Sequence, residues 1–353
     1  MPCQNNRCAS LKRAHGAQGG SVVKAFNALG NDNFQLRAIT RDPESEKAKA
    51  IEPLVKEVVK ADGDDEESMV KAFEGCYGAF IVSNFWQDMD AKHEKETLLT
   101  CCAAAKKAGL KHIVLSTLED TRETINASEN KDIWKVLNDE GMYVPYFDAK
   151  GEATSAYDEL PVTKLYTCAY MENFIYFGWG PTRQAEDQPY GITFPMGDKK
   201  MALVSVEDIG KAACAIFQDA SLIGQSVGVM SDVVTGEEMA ATFTKICGEK
   251  VNYNAVPTEV YAGFGFPGCE DLANMFRYYA DYESEFLKSR TIPESVLKTM
   301  GGTVKFEDFV AANKDTWKLE PMSAPETAPE TSPKAEPKST AVQGNADACC
   351  IIQ

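Results

Sequence analysis

Apolar positions fall into an alternating strand and helix rhythm over the first third of the chain. Ser21 to Leu29 carries helical spacing, and Gly30 with the turn residues Asn31, Asp32 and Asn33 closes it. Phe34 to Thr40 predicts a strand that ends in Arg41-Asp42-Pro43, followed by a helix over 45–51. Glu57 to Ala61 predicts another strand, closing on Asp62-Gly63-Asp64-Asp65, then a helix over 66–73. Tyr77 to Phe85 is almost continuously apolar, the mark of a parallel strand buried on both faces. A helix from Ala91 to Ala108 is stopped by Gly109, and Lys111 to Thr117 follows as a strand. Such alternation means repeated βαβ units. The expected class is α/β: a Rossmann-type, doubly wound parallel sheet with a smaller α/β C-terminal domain and a disordered tail.

The weak place is the start. Asn5 to Lys12 is polar where the first, central strand should lie, so this segment predicts a poorly ordered strand. From about Ala153 the pattern turns irregular, with a hairpin expected around Gly191 to Gly197 and a helix from Val206 to Phe217. Aromatics crowd Tyr166, Tyr170, Phe174, Tyr176, Phe177 and Trp179, a cluster that reads as core. After Trp317 the composition shifts to Pro, Glu, Ser, Thr, Ala and Lys without apolar period. The expected organisation is a dinucleotide domain over 1–152, a smaller domain over 153–318 and a tail over 319–353.

Charge narrows the function. The chain holds 36 basic and 53 acidic residues, a net −17, which disfavours direct nucleic-acid binding because phosphates must be neutralised by Lys and Arg. No apolar run approaches the ~20 residues a bilayer span needs, and the N-terminus shows no signal core. The expected location is cytoplasmic or nuclear. Eleven cysteines without a C-x-x-C pair read as free thiols in a reducing compartment, and three histidines do not make a metal centre. No metal site is expected.

Three places carry chemistry. Gly16-Ala17-Gln18-Gly19-Gly20 opens the first helix, where glycines and free N–H groups cradle a phosphate. Arg41, at the end of the second strand, suits the 2′-phosphate of NADP(H) where an acid would favour NAD. Ser116 and Thr117 end the fifth strand, and Tyr146 and Lys150 lie four apart on one helix face. In short-chain reductases such a hydroxyl, Tyr and Lys carry proton transfer. At the C-terminus, Cys350-Ile351-Ile352-Gln353 forms a farnesylation-type box, and Cys349 is the second acylation candidate that stable membrane tethering needs.

Several motifs together resemble the NmrA-like family of atypical short-chain dehydrogenase relatives: Gly16 to Ser21, Thr40-Arg41-Asp42-Pro43, Ser83-Asn84-Phe85-Trp86, Ser116 to Glu119, Pro145 to Glu152 and Tyr170 to Phe174. The resemblance covers about residues 14 to 318. It implies an NADP(H)-binding redox sensor or regulator whose protein partners or homodimer state respond to the dinucleotide. It also implies site positions: Gly16, Ala17, Gln18 and Gly19 as cradle, Arg41 at the 2′-phosphate, Asp62 and Gly63 near adenine. Ser83, Asn84 and Phe85 would line the dinucleotide path, with Lys150, Tyr170, Met171, Glu172 and Asn173 toward nicotinamide. Two departures stand out. Arg13-Ala14-His15-Gly16 replaces the family's Gly-Ala-Thr-Gly or Gly-Gly-Thr-Gly, which predicts either weakened dinucleotide binding or an N-terminus that is not the native one. Tyr146 stands where many sensor members carry His, so NADPH-dependent reduction of a small carbonyl or quinone-like substrate is the competing expectation.

Overall fold

The computed structural model describes residues 7–321 except 13, 15, 29–33 and 184. Arg13, His15, the Gly30 cap and the lipidation cysteines Cys349 and Cys350 therefore lie outside the described residues. The chain runs β1 (Arg7–Lys12), α1 (Ala17–Ala28), β2 (Phe34–Thr40), α2 (Glu46–Ile51), β3 (Glu57–Lys60), α3 (Glu66–Phe73), β4 (Gly78–Ile81), α4 (Ala91–Ala108), β5 (His112–Thr117), α5 (Thr121–Asn126), α6 (Pro145–Thr154) and β6 (Val162–Tyr166). It continues through β7 (Ala169–Tyr170), α7 (Asn173–Tyr176), β8 (Tyr190–Phe194), β9 (Lys200–Val204), α8 (Val206–Gln218), β10 (Ser226–Gly228), β11 (Asp232–Thr235), α9 (Gly236–Cys247), β12 (Val251–Ala255), α10 (Thr258–Ala262), α11 (Cys269–Asp281) and α12 (Glu283–Ser289).

Seven strands form one parallel sheet in the order β10-β6-β5-β4-β1-β2-β3. The order reverses between β1 and β4, which opens a crevice at the carboxyl ends of those strands. Residues beyond 152 return two strands, β6 and β10, to this sheet.

β1 corrects the sequence expectation. It is an ordered central strand, paired with β2 through Arg7↔Phe34 to Lys12↔Ile39 and with β4 through Ala9↔Gly78 to Leu11↔Phe80. Its two faces differ. Ala9 and Leu11 join the core with α1 residues Val22 and Val23, whereas Cys8, Ser10 and Lys12 share the other face by strand alternation. Ser10 Oγ is satisfied there by the Ala72 carbonyl at 3.4 Å.

The hairpin expected around Gly191 to Gly197 is not formed either. β8 pairs in parallel with β12, and β9 pairs with β11 and β7, so the turn at Gly197 hands the chain from one small sheet to another. The aromatic cluster is core at Tyr170, Phe174 and Trp179, whereas Tyr176 is exposed and Tyr166 and Phe177 are partly buried. Phe174 meets Trp179, Phe194, Phe243 and Phe306 at 5.1–5.9 Å. α8 lies tight on α1 because Gly210 has no side chain: a Cβ there would sit 2.4 Å from the Ser21 carbonyl. One continuous core joins the two parts of the chain.

Candidate functional site

The cradle begins one turn earlier than the apolar pattern predicts. α1 starts at Ala17, and the Gly20 N–H already bonds the Gly16 carbonyl at 2.7 Å, so Gly19 and Gly20 belong to the helix's first turn. Gln18 is buried, and its Nε2 donates to the Tyr170 hydroxyl at 2.5 Å, tying the cradle to the turn that leads into α7. The α1 N-terminus thus faces the crevice at the strand-order reversal.

A cleft over the carboxyl ends of β1 to β4 gathers Lys12, Arg41, Asp62, Gly63, Ser83 and Asn84 with the start of α4. Five of these six are positions the sequence singles out; Lys12 is the addition. Its Nζ is buried and has no hydrogen-bond partner among the described residues. A Cβ at Gly63 would come within 2.6 Å of that Nζ, so glycine leaves the space the lysine fills. Arg41 is exposed at the mouth, where Nη2 donates to Gln87 Oε1 at 3.0 Å. His93 closes the same rim, bonding Asp88 through Nδ1 at 2.5 Å and Asp64 through Nε2 at 2.9 Å. Those two carboxylates raise His93 to about 9.

Beneath the loop after β4 lies the Tyr146 and Lys150 pair. α6 puts both on one face, with Lys150 Nζ 5.8 Å from the Tyr146 ring centre. The ammonium is committed elsewhere: it bonds Glu94 Oε1 at 2.6 Å, and both side chains are almost fully buried. Tyr146 is wholly buried, with Phe85, Trp86 and Phe147 at 5.0–5.6 Å, and its hydroxyl has no partner among the described residues. Burial pushes that hydroxyl well above the usual tyrosine value. Lys150 is therefore an ion-pair partner of Glu94 here, a residue that no pattern in the sequence singles out. Ser116 is buried within β5 opposite Leu165, while its neighbour Thr117 bonds the Thr154 hydroxyl of α6 at 2.6 Å.

The segment from Tyr170 to Asn173 divides by role. Glu172 accepts from the Val206 N–H at 3.0 Å and the Ser205 hydroxyl at 3.3 Å, capping α8, and burial raises it to about 7. Met171 is buried and its N–H bonds the Val204 carbonyl. Asn173 is different: it is fully buried, and neither its amide nitrogen nor its amide oxygen has a partner among the described residues. Ser83 Oγ and Asn84 Nδ2 are likewise buried and unpartnered. An unmade hydrogen bond in the interior costs about 1–3 kcal/mol. Ser83 and Asn84 line the cleft with Lys12, and such atoms are what a polar ligand would satisfy.

Phe85 also walls a second cavity, of about 920 Å³, together with Met89, Pro145, Phe266 and Asp271. The loop after β4 thus separates the two spaces, with Ser83 and Asn84 lining the first and Phe85 the second. Burial raises the Asp271 carboxyl well above the carboxylate range, and its Oδ1 has no partner among the described residues.

Known proteins with this architecture share its sequence pattern. The NmrA-like family model matches residues 13–310. An NmrA-like family domain-containing oxidoreductase, malD of Malbranchea aurantiaca, is 28% identical over 322 residues, covering 84% of this chain and 93% of its own. Another, notA' of Aspergillus versicolor, is 32% identical over 263 residues, covering 69% and 70%. Among solved structures, the negative transcriptional regulator Nmra in complex with NAD superposes with a TM-score of 0.68 at 18% identity, covering 87% of this chain and 95% of that one. The Citrobacter sp. triphenylmethane reductase complexed with NADP(H) gives 0.66 at 20% identity, covering 88% and 100%. A family match over residues 13–310 and a relative 32% identical across 69% of this chain lead to one conclusion: this protein belongs to the NmrA-like family.

Proposed function

We propose that this chain binds NADP(H) across the β1/β4 crevice and reduces an organic substrate held in the adjoining cavity. The carrying observation is the set of buried, unpartnered polar atoms on Lys12, Ser83 and Asn84, which line that crevice together. The α1 N-terminus and the Gly16 to Gly19 turn would hold the diphosphate. Arg41 at the rim, with Lys12 deeper in the cleft, favours the additional phosphate of NADP(H) over NAD. Asp62 and Gly63 would border the adenine, and the Asn173 amide would face the nicotinamide end. When bound, the dinucleotide supplies the two-electron reducing equivalent. Tyr146 would donate the proton: burial keeps its hydroxyl protonated, and Phe85 with Trp86 excludes water from it.

The size of the second cavity points to a substrate larger than a simple carbonyl; Phe85, Met89 and Phe266 offer it apolar contact, while Asp139, Glu140 and Asp271 in the same lining favour a body that also carries polar groups. Oxidation of NADPH across a panel of bulky carbonyl and quinone-like compounds tests this. Turnover should fall about 10²-fold or more in Tyr146→Phe, the usual contribution of a positioned proton donor. Turnover unchanged in that variant would remove Tyr146 from the chemistry.

One observation favours a second reading, a nucleotide-responsive regulator without turnover. The Lys150 charge is neutralised by Glu94, so it is not available to assist Tyr146 as in short-chain reductases. Saturable NADPH binding with no oxidation across the panel, together with a ligand-dependent change in oligomer or partner, would select it.

A further inference from the structure

The face of β1 that carries Lys12 at its carboxyl end carries Cys8 at its amino end, at the opposite end of the strand from the cleft. Cys8 Sγ lies 3.2 Å from Cys76 Sγ, and both thiols are free. Cys76 sits in the turn between α3 and β4, where the Tyr77 N–H bonds the Cys8 carbonyl at 2.7 Å and fixes the two backbones side by side. Arg37 braces that turn from β2: Nη1 donates to the Ala72 and Glu74 carbonyls at 2.9 and 2.8 Å, and Nε pairs with Glu57 at 2.9 Å. Gly75 makes the tight turn possible with φ +73°. Cys8 is half-buried and Cys76 buried, so a small reagent meets Cys8 first.

We propose that Cys8 and Cys76 form a peroxide-oxidisable dithiol, with Cys8 as the attacking thiol and Cys76 as the resolving one. The Cys8 thiol releases its proton and the thiolate attacks one oxygen of hydrogen peroxide; the S–O bond forms, the O–O bond breaks, and the departing hydroxide takes up that proton and leaves as water. Cys76 sulfur then attacks Cys8 sulfur; the S–S bond forms, the S–O bond breaks, and the Cys76 proton goes to the second departing hydroxide. Two thiols and one peroxide become one disulfide and two waters. Bonded sulfurs lie about 2.05 Å apart, so roughly an ångström of approach completes the bond. A hydrogen bond from the Cys76 thiol holds Cys8 down at about 7, with the Arg37 charge assisting against burial. The same pairing pushes Cys76 up, which keeps it protonated until Cys8 has reacted. The disulfide would fasten β1 to the entrance of β4, the two strands that flank the crevice.

The full-length, reduced protein is treated with stoichiometric hydrogen peroxide, quenched by an alkylating reagent, digested and weighed. The expected product joins the Cys8 and Cys76 peptides, two hydrogens lighter than their sum, and dithiothreitol restores both thiols. In Cys76→Ser, dimedone should trap a sulfenic acid on Cys8, and in Cys8→Ser Cys76 should remain a thiol. Recovery of Cys8 and Cys76 alkylated and unlinked from the wild-type protein overturns the proposal, with no dependence on how the variants fold. Dimedone labelling of Cys76 in Cys8→Ser, at the wild-type rate of peroxide reaction, would overturn the order of attack.

Discussion

Lys150 is the residue whose role the structure changes most. Four residues after Tyr146, it reads as a cofactor lysine, yet it forms a 2.6 Å ion pair with Glu94, and the two side chains are 2% and 1% exposed. Breaking such a pair from one side leaves an uncompensated charge in the interior, which costs about 3–5 kcal/mol. Glu94→Ala should therefore lower unfolding free energy by that order in urea titration, because Lys150 is left without its counter-charge. Lys150→Met with Glu94→Gln together should recover most of the loss. A single Glu94→Ala variant as stable as wild type would mean that Lys150 finds water or another partner, as it would if the pair opened readily to a ligand. Glu94 was invisible in the sequence because nothing in a helix pattern distinguishes a buried carboxylate from the solvent-facing ones around it. Its selection depends on α6 arriving from 56 residues away.

Elements explain what was and was not legible. The βαβ rhythm was readable because β4 and the Ile113-Val114-Leu115 centre of β5 are buried on both faces and apolar. β1 escaped because only Ala9 and Leu11 face apolar core, while Cys8, Ser10 and Lys12 each have a polar or sulfur role on the opposite face. The paired β8 and β12 could not be found by local pattern, since their partners are far apart in sequence. At the cleft mouth, His93 of α4 bridges the loop after β3, through Asp64, to the loop after β4, through Asp88. Its folded value, about 9, lies above the ~6.5 of a free imidazole. Its stabilising contribution is thus complete below about pH 6.5 and fades as pH rises through about 9. The difference in thermal midpoint between wild type and His93→Gln should shrink from pH 6 to pH 10. The effect is small, because the ring is 39% exposed and solvent screens the pair. An imidazole resonance that titrates near 6.5 by NMR would show that the clamp is open in solution.

At the scale of the molecule, the two parts of the chain share one core. β6 and β10 complete the dinucleotide sheet from beyond residue 152, Gly210 seats α8 on α1, and Trp317 packs on Phe243 at 5.0 Å. Tyr170 reaches back to Gln18 in the cradle helix, so the ligand crevice and the later segment are mechanically joined. Two consequences are measurable in one calorimetric experiment. Without ligand, the described fold should unfold in a single transition, since no apolar boundary separates 7–152 from the rest. With NADPH at one hundred times its dissociation constant, mass action adds about 2.7 kcal/mol to the native state. At roughly 2.1 cal/mol/K of unfolding entropy per residue, a fold of this size then melts about 4 °C higher. If Arg41 holds the 2′-phosphate as proposed, NADH should give a smaller shift at equal concentration, and Arg41→Ala should bring the NADPH shift down toward it. Two resolved transitions, of which NADPH moves only one, would mean that the shared core does not couple the halves. An NADPH shift in Arg41→Ala equal to wild type would assign the phosphate to Lys12 alone.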